Sequence, residues 1–291
     1  NTPLATGLNP SVVNVVDVEN RGFEVMTSYR MDKQDGFSWN ASFNIGFNTN
    51  EVTNLGANGQ SLQGGFTGQL FADPITLTAE GHPVSSFYGY QVEGLDAAGN
   101  LLFKDLDGVG NDKTQPTLGD KTFIGNPLPD FTYGINLGAN YKGFDFSAFF
   151  YGSQGNDIFD ATIRYDAIGS SRPIRYLQNN APKNIVLGGT NGEQLVSDFH
   201  VQDGSFLKLK NVALGYNFPS DATQKLGIGN VRLSFSAQNL LTFTSYSGLD
   251  PEVNYFGASG NNNTSSNTVR GFDFGNYPTL RSFTFNLNVQ F

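Results

Sequence analysis

The sequence contains no cysteine, so it has neither a disulfide framework nor a thiolate zinc site. His82 and His200 are its only histidines, too few for a three-histidine metal centre. Positive charge is also scarce: 17 Lys and Arg stand against 26 Asp and Glu, for a formal net charge of −9. No basic face can be assembled from that balance, which excludes a nucleic-acid partner. No run approaches the roughly 18 to 20 apolar residues of a membrane-spanning helix, and mean hydropathy is −0.29. A β-barrel is not excluded by this, because its strands need only about 10 residues with every second one apolar. There is no Walker-type loop, no Gly-x-Gly-x-x-Gly after a strand and no Gly-x-Ser-x-Gly elbow. The opening Asn1-Thr2-Pro3-Leu4 has no basic region, apolar core or small-residue cleavage site. A mature or partial chain is expected.

What the chain does have is glycine, 35 residues, and phenylalanine, 26, arranged with a period of two. From Thr279 to Phe291, Phe283, Phe285, Leu287, Val289 and Phe291 alternate with Ser282, Thr284, Asn286, Asn288 and Gln290. Only a strand separates such residues onto two faces. Phe37 to Asn48 and Phe131 to Tyr141 repeat the pattern, and weaker versions occupy Phe23–Met31, Phe144–Tyr151, Val212–Phe218 and Val231–Thr242. Seven strands are therefore expected. Several would run about 11 to 13 residues, against about 5 to 6 in ordinary soluble sheets. Their polar faces carry Asn, Ser, Thr and Gly rather than Lys and Glu, which suits a hydrated lumen with the Phe-rich face toward lipid. The fold class expected is all-β, a transmembrane antiparallel β-barrel with long external loops.

Connection lengths alternate. Asp32–Gly36, Lys142-Gly143 and Ser220–Asn230 are short; Glu51–Asp130, Asn156–Ser205 and Ser245–Pro278 are long. Outer-membrane barrels have short periplasmic turns and long external loops, so the long segments are assigned to the outside. Within the first, Phe87–Val92 and Asn100–Phe103 flank Gly94–Gly99 and predict a small hairpin; in the second, Ile158–Ile168 is a candidate short helix. Seven strands cannot close a wall, and an open edge in lipid costs several kilocalories per mole for each unpaired backbone group. Further strands are expected, N-terminal to Asn1 or on partner chains.

Some segments suggest chemistry. Asp105-Leu106-Asp107-Gly108-Val109-Gly110-Asn111-Asp112 resembles a calcium loop, with Asp105, Asp107, Asn111 and Asp112 as candidate Ca²⁺ ligands. It departs from that pattern with Val109 at the fifth position and Pro116 at the twelfth, and a solvated acidic turn is the alternative. No other cofactor is implied. Phe87, Tyr88, Tyr90, Tyr246, Tyr255 and Phe256 are expected to be exposed loop aromatics able to stack on a sugar ring or receive a partner; the alternative is loops packed on one another. The two histidines carry no catalytic motif, and an enzyme is not expected.

The chain also resembles a family, over nearly its whole length. The matching segments are Val18-Glu19-Asn20-Arg21-Gly22-Phe23-Glu24; Gly125-Asn126-Pro127-Leu128-Pro129-Asp130-Phe131-Thr132-Tyr133-Gly134; Val201-Gln202-Asp203-Gly204-Ser205-Phe206-Leu207-Lys208-Leu209-Lys210-Asn211-Val212; and Gly215-Tyr216-Asn217-Phe218-Pro219. Ser236-Ala237-Gln238-Asn239-Leu240, Tyr246-Ser247-Gly248-Leu249-Asp250-Pro251-Glu252-Val253 and Tyr277-Pro278 follow. Together they are similar to the C-terminal barrel of SusC/RagA-type TonB-dependent transporters of Bacteroidota. The resemblance implies that residues 1–291 are the C-terminal portion of one roughly 22-stranded outer-membrane barrel, whose plug, TonB box and N-terminal strands lie upstream. It also implies a SusD-like surface lipoprotein partner, energy from TonB, and import of a glycan or peptide. Phe283, Phe285 and Phe291 resemble a terminal barrel-assembly signal. A passive or structural outer-membrane barrel and a soluble carbohydrate-binding sandwich are the competing classes.

Overall fold

The computed structural model describes residues 16–33, 36–56, 59–65, 71, 73–97, 100–110, 112–162, 195–223, 227, 229–253 and 270–290. In chain order the strands are β1 (Asp17–Asp32), β2 (Ser38–Asn54), β3 (Leu62–Gly64), β4 (Thr76–Thr78), β5 (Ser86–Gly89), β6 (Val92–Leu95), β7 (Leu101–Phe103) and β8 (Thr122–Gly125). They continue with β9 (Phe131–Tyr141), β10 (Phe144–Gln154), β11 (Asp157–Asp160), β12 (Val201–Asp203), β13 (Phe206–Asn217), β14 (Asn230–Thr244), β15 (Phe272–Asp273) and β16 (Ser282–Gln290). One helical turn, α1 (Ser220–Thr223), lies between β13 and β14.

The seven long strands predicted from alternation form one antiparallel sheet, in the order β1-β2-β9-β10-β13-β14-β16. Each pairs with its neighbours in sequence, as hairpin connections require. Cross-strand partners share a face, so the register can be followed across the wall. One such row is Val25, Ile45, Tyr133, and a parallel one is Ala139, Phe146, Leu214, Phe235, Phe285. The opposite face carries Asn40, Gly138, Ser147, Ala213, Ser236 and Thr284. Among the described residues no second sheet covers the apolar rows, and Phe285 is 75% exposed. A dry sandwich core is therefore not what these residues build. From Phe131 to Tyr141 the apolar band runs ten steps, about 33 Å along the strand, which at a tilt near 40° spans about 25 Å of membrane.

Aromatic residues gather at the end of the sheet bearing the short turns. Tyr29 packs on Trp39, Phe37 on Tyr141, and Phe144 on Tyr216, whose ring also meets Phe218. Amphipathic rings at this level form the girdle expected at a membrane–water boundary. The β9–β10 turn has positive φ at both Lys142 (47°) and Gly143 (89°), the two-residue geometry whose twist matches the flanking strands. A Cβ on Gly143 would lie 2.7 Å from the Asn217 carbonyl oxygen.

The described parts of the long connections are folded. β3, β4, β5 and β8 form a small sheet, β6 and β7 a hairpin, and β11 joins β12 and β15. Two sequence expectations are corrected here. The hairpin pairs Val92–Leu95 with Leu101–Phe103, while Ser86–Gly89 turns away to pair with β4 and β8. Ile158, expected to begin a helix, instead lies in strand β11 (Asp157–Asp160), whose backbone bonds to Asn126 and Gly271 are non-local. Residues 163–168 of that expected helix lie outside the described residues.

Candidate functional site at the rim of the wall

All three long connections contribute to one hydrophobic core. Phe71, Ile75 and Phe87 come from the first, Phe159, Ala161 and Val196 from the second, and Phe272 from the third. Phe159 is its centre, with ring contacts to Phe71, Phe87 and Phe272. Backbone bonds join the same segments: Tyr90 N–H donates to the Val196 carbonyl at 2.8 Å, and Phe159 N–H to the Gly271 carbonyl at 2.8 Å. The connections thus make a single folded cap at the end of the wall opposite the short turns.

This changes the reading of the predicted contact residues. Phe87 (0% exposed), Tyr90 (3%) and Tyr246 (5%) are buried, so the exposure expected of them is corrected: their rings fill the protein interior. Tyr88 is half-buried and packs on Phe123, itself stacked on His82. Tyr255, Phe256 and Phe291 lie outside the described residues. Burial pushes the Tyr90 hydroxyl up to about 12, with the Asp73 and Asp120 carboxylates adding to it. Burial also raises Tyr246, helped by Asp160 and Asp273, and its hydroxyl donates to Asp273 Oδ2 at 2.7 Å. Both phenols stay protonated, and that of Tyr246 serves as a donor.

His200 is wholly buried against Phe71, Phe159 and Phe199, with Ser197 Oγ 3.5 Å from Nδ1. Ser197 is equally buried, so the pair cannot reach a substrate carbonyl as a nucleophile and base must.

The acidic turn is rearranged relative to its sequence. Carboxylate oxygens of Asp105, Asp107 and Asp120 lie within 4.8 Å of one another. Asp120 thus occupies the place expected of Asp112, which instead accepts from the Thr114 hydroxyl and amide. Asn111 lies outside the described residues. The carboxylates already terminate backbone donors: Asp105 accepts from Gly108, Asp107 from Val109, and Asp120 from Leu106 and Thr117. The Leu106 amide, more than burial opposes, holds the Asp120 carboxyl below its usual range. The adjoining pocket of about 130 Å³ is lined by Lys104 and Lys113 together with Asp105, Asp112 and Asp120. The geometry is that of a turn closed by its own hydrogen bonds.

A second cluster escaped the sequence reading altogether. Lys208, 1% exposed, donates to Asp250 Oδ1 at 2.5 Å, Glu252 Oε2 at 2.6 Å and Thr279 Oγ1 at 3.3 Å. Thr279 in turn donates its amide and hydroxyl to Asp250 Oδ2, and Lys210 bonds both oxygens of Glu252. Burial would raise the Asp250 carboxyl, but the bonds from Lys208 and Thr279 outweigh it and hold it at about 2. The available signal was Leu207-Lys208-Leu209-Lys210, two lysines in alternation where other strands carry Asn, Ser or Gly.

No protein-family model matches the chain. Curated relatives do. TonB-dependent receptor P3 of Formosa agariphila is 35% identical over 309 aligned residues, covering 99% of this chain and 30% of the relative. The TonB-dependent receptor SusC of Bacteroides thetaiotaomicron is 28% identical over 308, covering 99% of this chain and 28% of SusC. Among solved structures, the RagAB peptide importer in the open-open state matches with a TM-score of 0.74 and 22% identity, over 100% of this chain and 30% of that one. The chain therefore spans about 30% of the length of the relatives it matches. With whole-chain relatives among these receptors and a one-sided antiparallel wall of the same fold as the RagAB importer, the chain is similar from end to end to a portion of the β-barrel of SusC/RagA-type TonB-dependent transporters.

Proposed function

We propose that the chain forms the C-terminal barrel wall and outer loops of a bacterial outer-membrane protein that imports a nutrient, an oligosaccharide or a peptide, using energy relayed by TonB. A SusD-like surface lipoprotein is its partner at the outer rim. The single observation supporting this reading most directly is the seven-stranded sheet with a continuous apolar face on one side and Asn, Ser and Gly on the other, in a chain related end to end to TonB-dependent receptors. Half-buried Tyr88, with Tyr255 and Phe256, is proposed to meet ligand or lipoprotein. Phe283 and Phe285, on the edge strand β16 of the sheet, are proposed with Phe291 as the barrel-assembly signal.

The test is uptake by a strain lacking the gene and by the same strain lacking TonB, across labelled oligosaccharides and peptides. Loss of the same uptake in both strains is expected. Uptake that needs the gene but not TonB would replace this reading with a passive channel.

A further inference from the structure

Alternation specifies which face of a strand meets lipid, but it leaves the register of β16 on β14 open. A one-residue slip turns every side chain over and is excluded by the apolar face. A two-residue slip keeps both faces. After such a slip Phe285 would stand opposite Leu233 or Ala237 instead of Phe235, with apolar residues matched as before. Phe235 already contacts two rings of β16, Phe283 at 6.2 Å and Phe285 at 4.8 Å, so aromatic packing is indifferent to the choice. The polar contacts of the pair discriminate weakly too: Ser282 Oγ reaches Gln238 Oε1 at a long 3.4 Å, and Asn239 Nδ2 donates at 3.0 Å to the Leu280 backbone carbonyl, an acceptor that residues 278 and 282 offer equally.

The Lys208 cluster supplies what the pattern lacks. Thr279, three residues before β16 begins, is bonded through Asp250 to Lys208, which sits on β13, two strands away from β16. Lys208 is itself in register with Tyr151 of β10 and Thr242 of β14. A two-residue slip would move Thr279 by about 6.6 Å along the strand, beyond hydrogen-bond reach, and would leave a buried ammonium and carboxylate short of partners. We propose that Lys208, Asp250 and Thr279 form a register lock, a positioning device that selects one of the even-numbered alignments of the terminal strand during barrel assembly. An apolar trio of similar volume would pack as well, but would not distinguish the alignments. This inference concerns the wall itself and holds whatever the barrel transports.

Residues 1–291 contain no cysteine, so with any cysteine elsewhere in the protein replaced by serine, engineered pairs report register directly. In the full-length protein, Ser236→Cys with Thr284→Cys captures the observed alignment. Ser236→Cys with Asn286→Cys, or with Ser282→Cys, captures a slip of two in either direction. Disulfide yield is read on the folded, heat-modifiable band from outer membranes. With Lys208→Met or Thr279→Val, the slipped-to-observed ratio is expected to rise about tenfold or more, the factor that charge-assisted hydrogen bonds contribute. If Lys208→Met abolishes the folded band, Thr279→Val decides, since it leaves every charge in place. A ratio equal to the parent's in the Thr279→Val barrel overturns the proposal.

Discussion

Arg232 on β14 reaches over β13 to grip Asp145 on β10, its two terminal guanidinium nitrogens each donating to one carboxylate oxygen, at 2.5 and 2.9 Å. The residue beneath is Gly215, where an added Cβ would lie 2.4 Å from the guanidinium and 2.6 Å from the carboxylate. The ion pair and the glycine are thus one feature, a polar bridge across the lumen face near the short turns. Both charges are about one-third exposed, so the pair by itself contributes only about 0.2–1 kcal/mol. Asp145→Asn is expected to lower urea resistance of the refolded full-length barrel by that amount. Gly215→Val is expected to lower it more, because it displaces both partners and crowds the strand. Equal effects would show that the bridge does not pass over Gly215.

The two faces of the wall make opposite predictions at adjacent positions. Ile135 belongs to the apolar row and Asn136 to the polar one, both in the middle of β9. Ile135→Arg is expected to cost about 2–4 kcal/mol near the bilayer midplane, and to reduce the folded outer-membrane fraction sharply. Asn136→Arg faces water and should leave that fraction near the parent level. Reversal of this order would place lipid on the other face.

The cap is expected to open as a unit. Phe159 contacts rings from the first and third connections as well as His200, so Phe159→Ala should cost about 3–5 kcal/mol locally. Hydrogen exchange should then rise around Phe87 and Phe272 together with the mutated strand. Faster exchange confined to β11 would mean that the connections are independent.

The clasp at Lys208 predicts a pH window. Asp250 is held at about 2 against an ordinary 3.8, so the folded state favours the carboxylate and the unfolded state binds a proton first. Its stabilisation is complete above about pH 4 and is lost as pH falls from there toward 2. Limited proteolysis of the Tyr246–Val253 stretch should therefore be unchanged between pH 7 and pH 5 and increase only below 4. In Asp250→Asn the stretch should be cleaved at neutral pH as well. Acid-induced opening near pH 6 would be incompatible with this assignment.

Parts of this architecture were readable without coordinates. Period-two alternation from Phe37 to Asn48, and again from Ser282 to Gln290, is a local property that one strand carries by itself, so the seven wall strands and their faces followed from sequence. The turn at Lys142-Gly143 was legible for the same reason. The connections have no period, and their fate was set by partners far away in the chain. Ile158 and Phe159 look helical in isolation, yet they are buried in a strand because Gly271 and Asn126 supply backbone partners.

Sequence alone thus determined the class of wall and its two faces, because strand periodicity needs no long-range contact. Only the tertiary structure decided that Phe87, Tyr90 and Tyr246 are interior rather than ligand-facing, and that Lys208 has partners at all. The physical reason is distance along the chain: Asp250 and Thr279 lie 42 and 71 residues from Lys208. Burial of a charge is settled by what folding brings against it, and neither composition nor spacing encodes that neighbourhood.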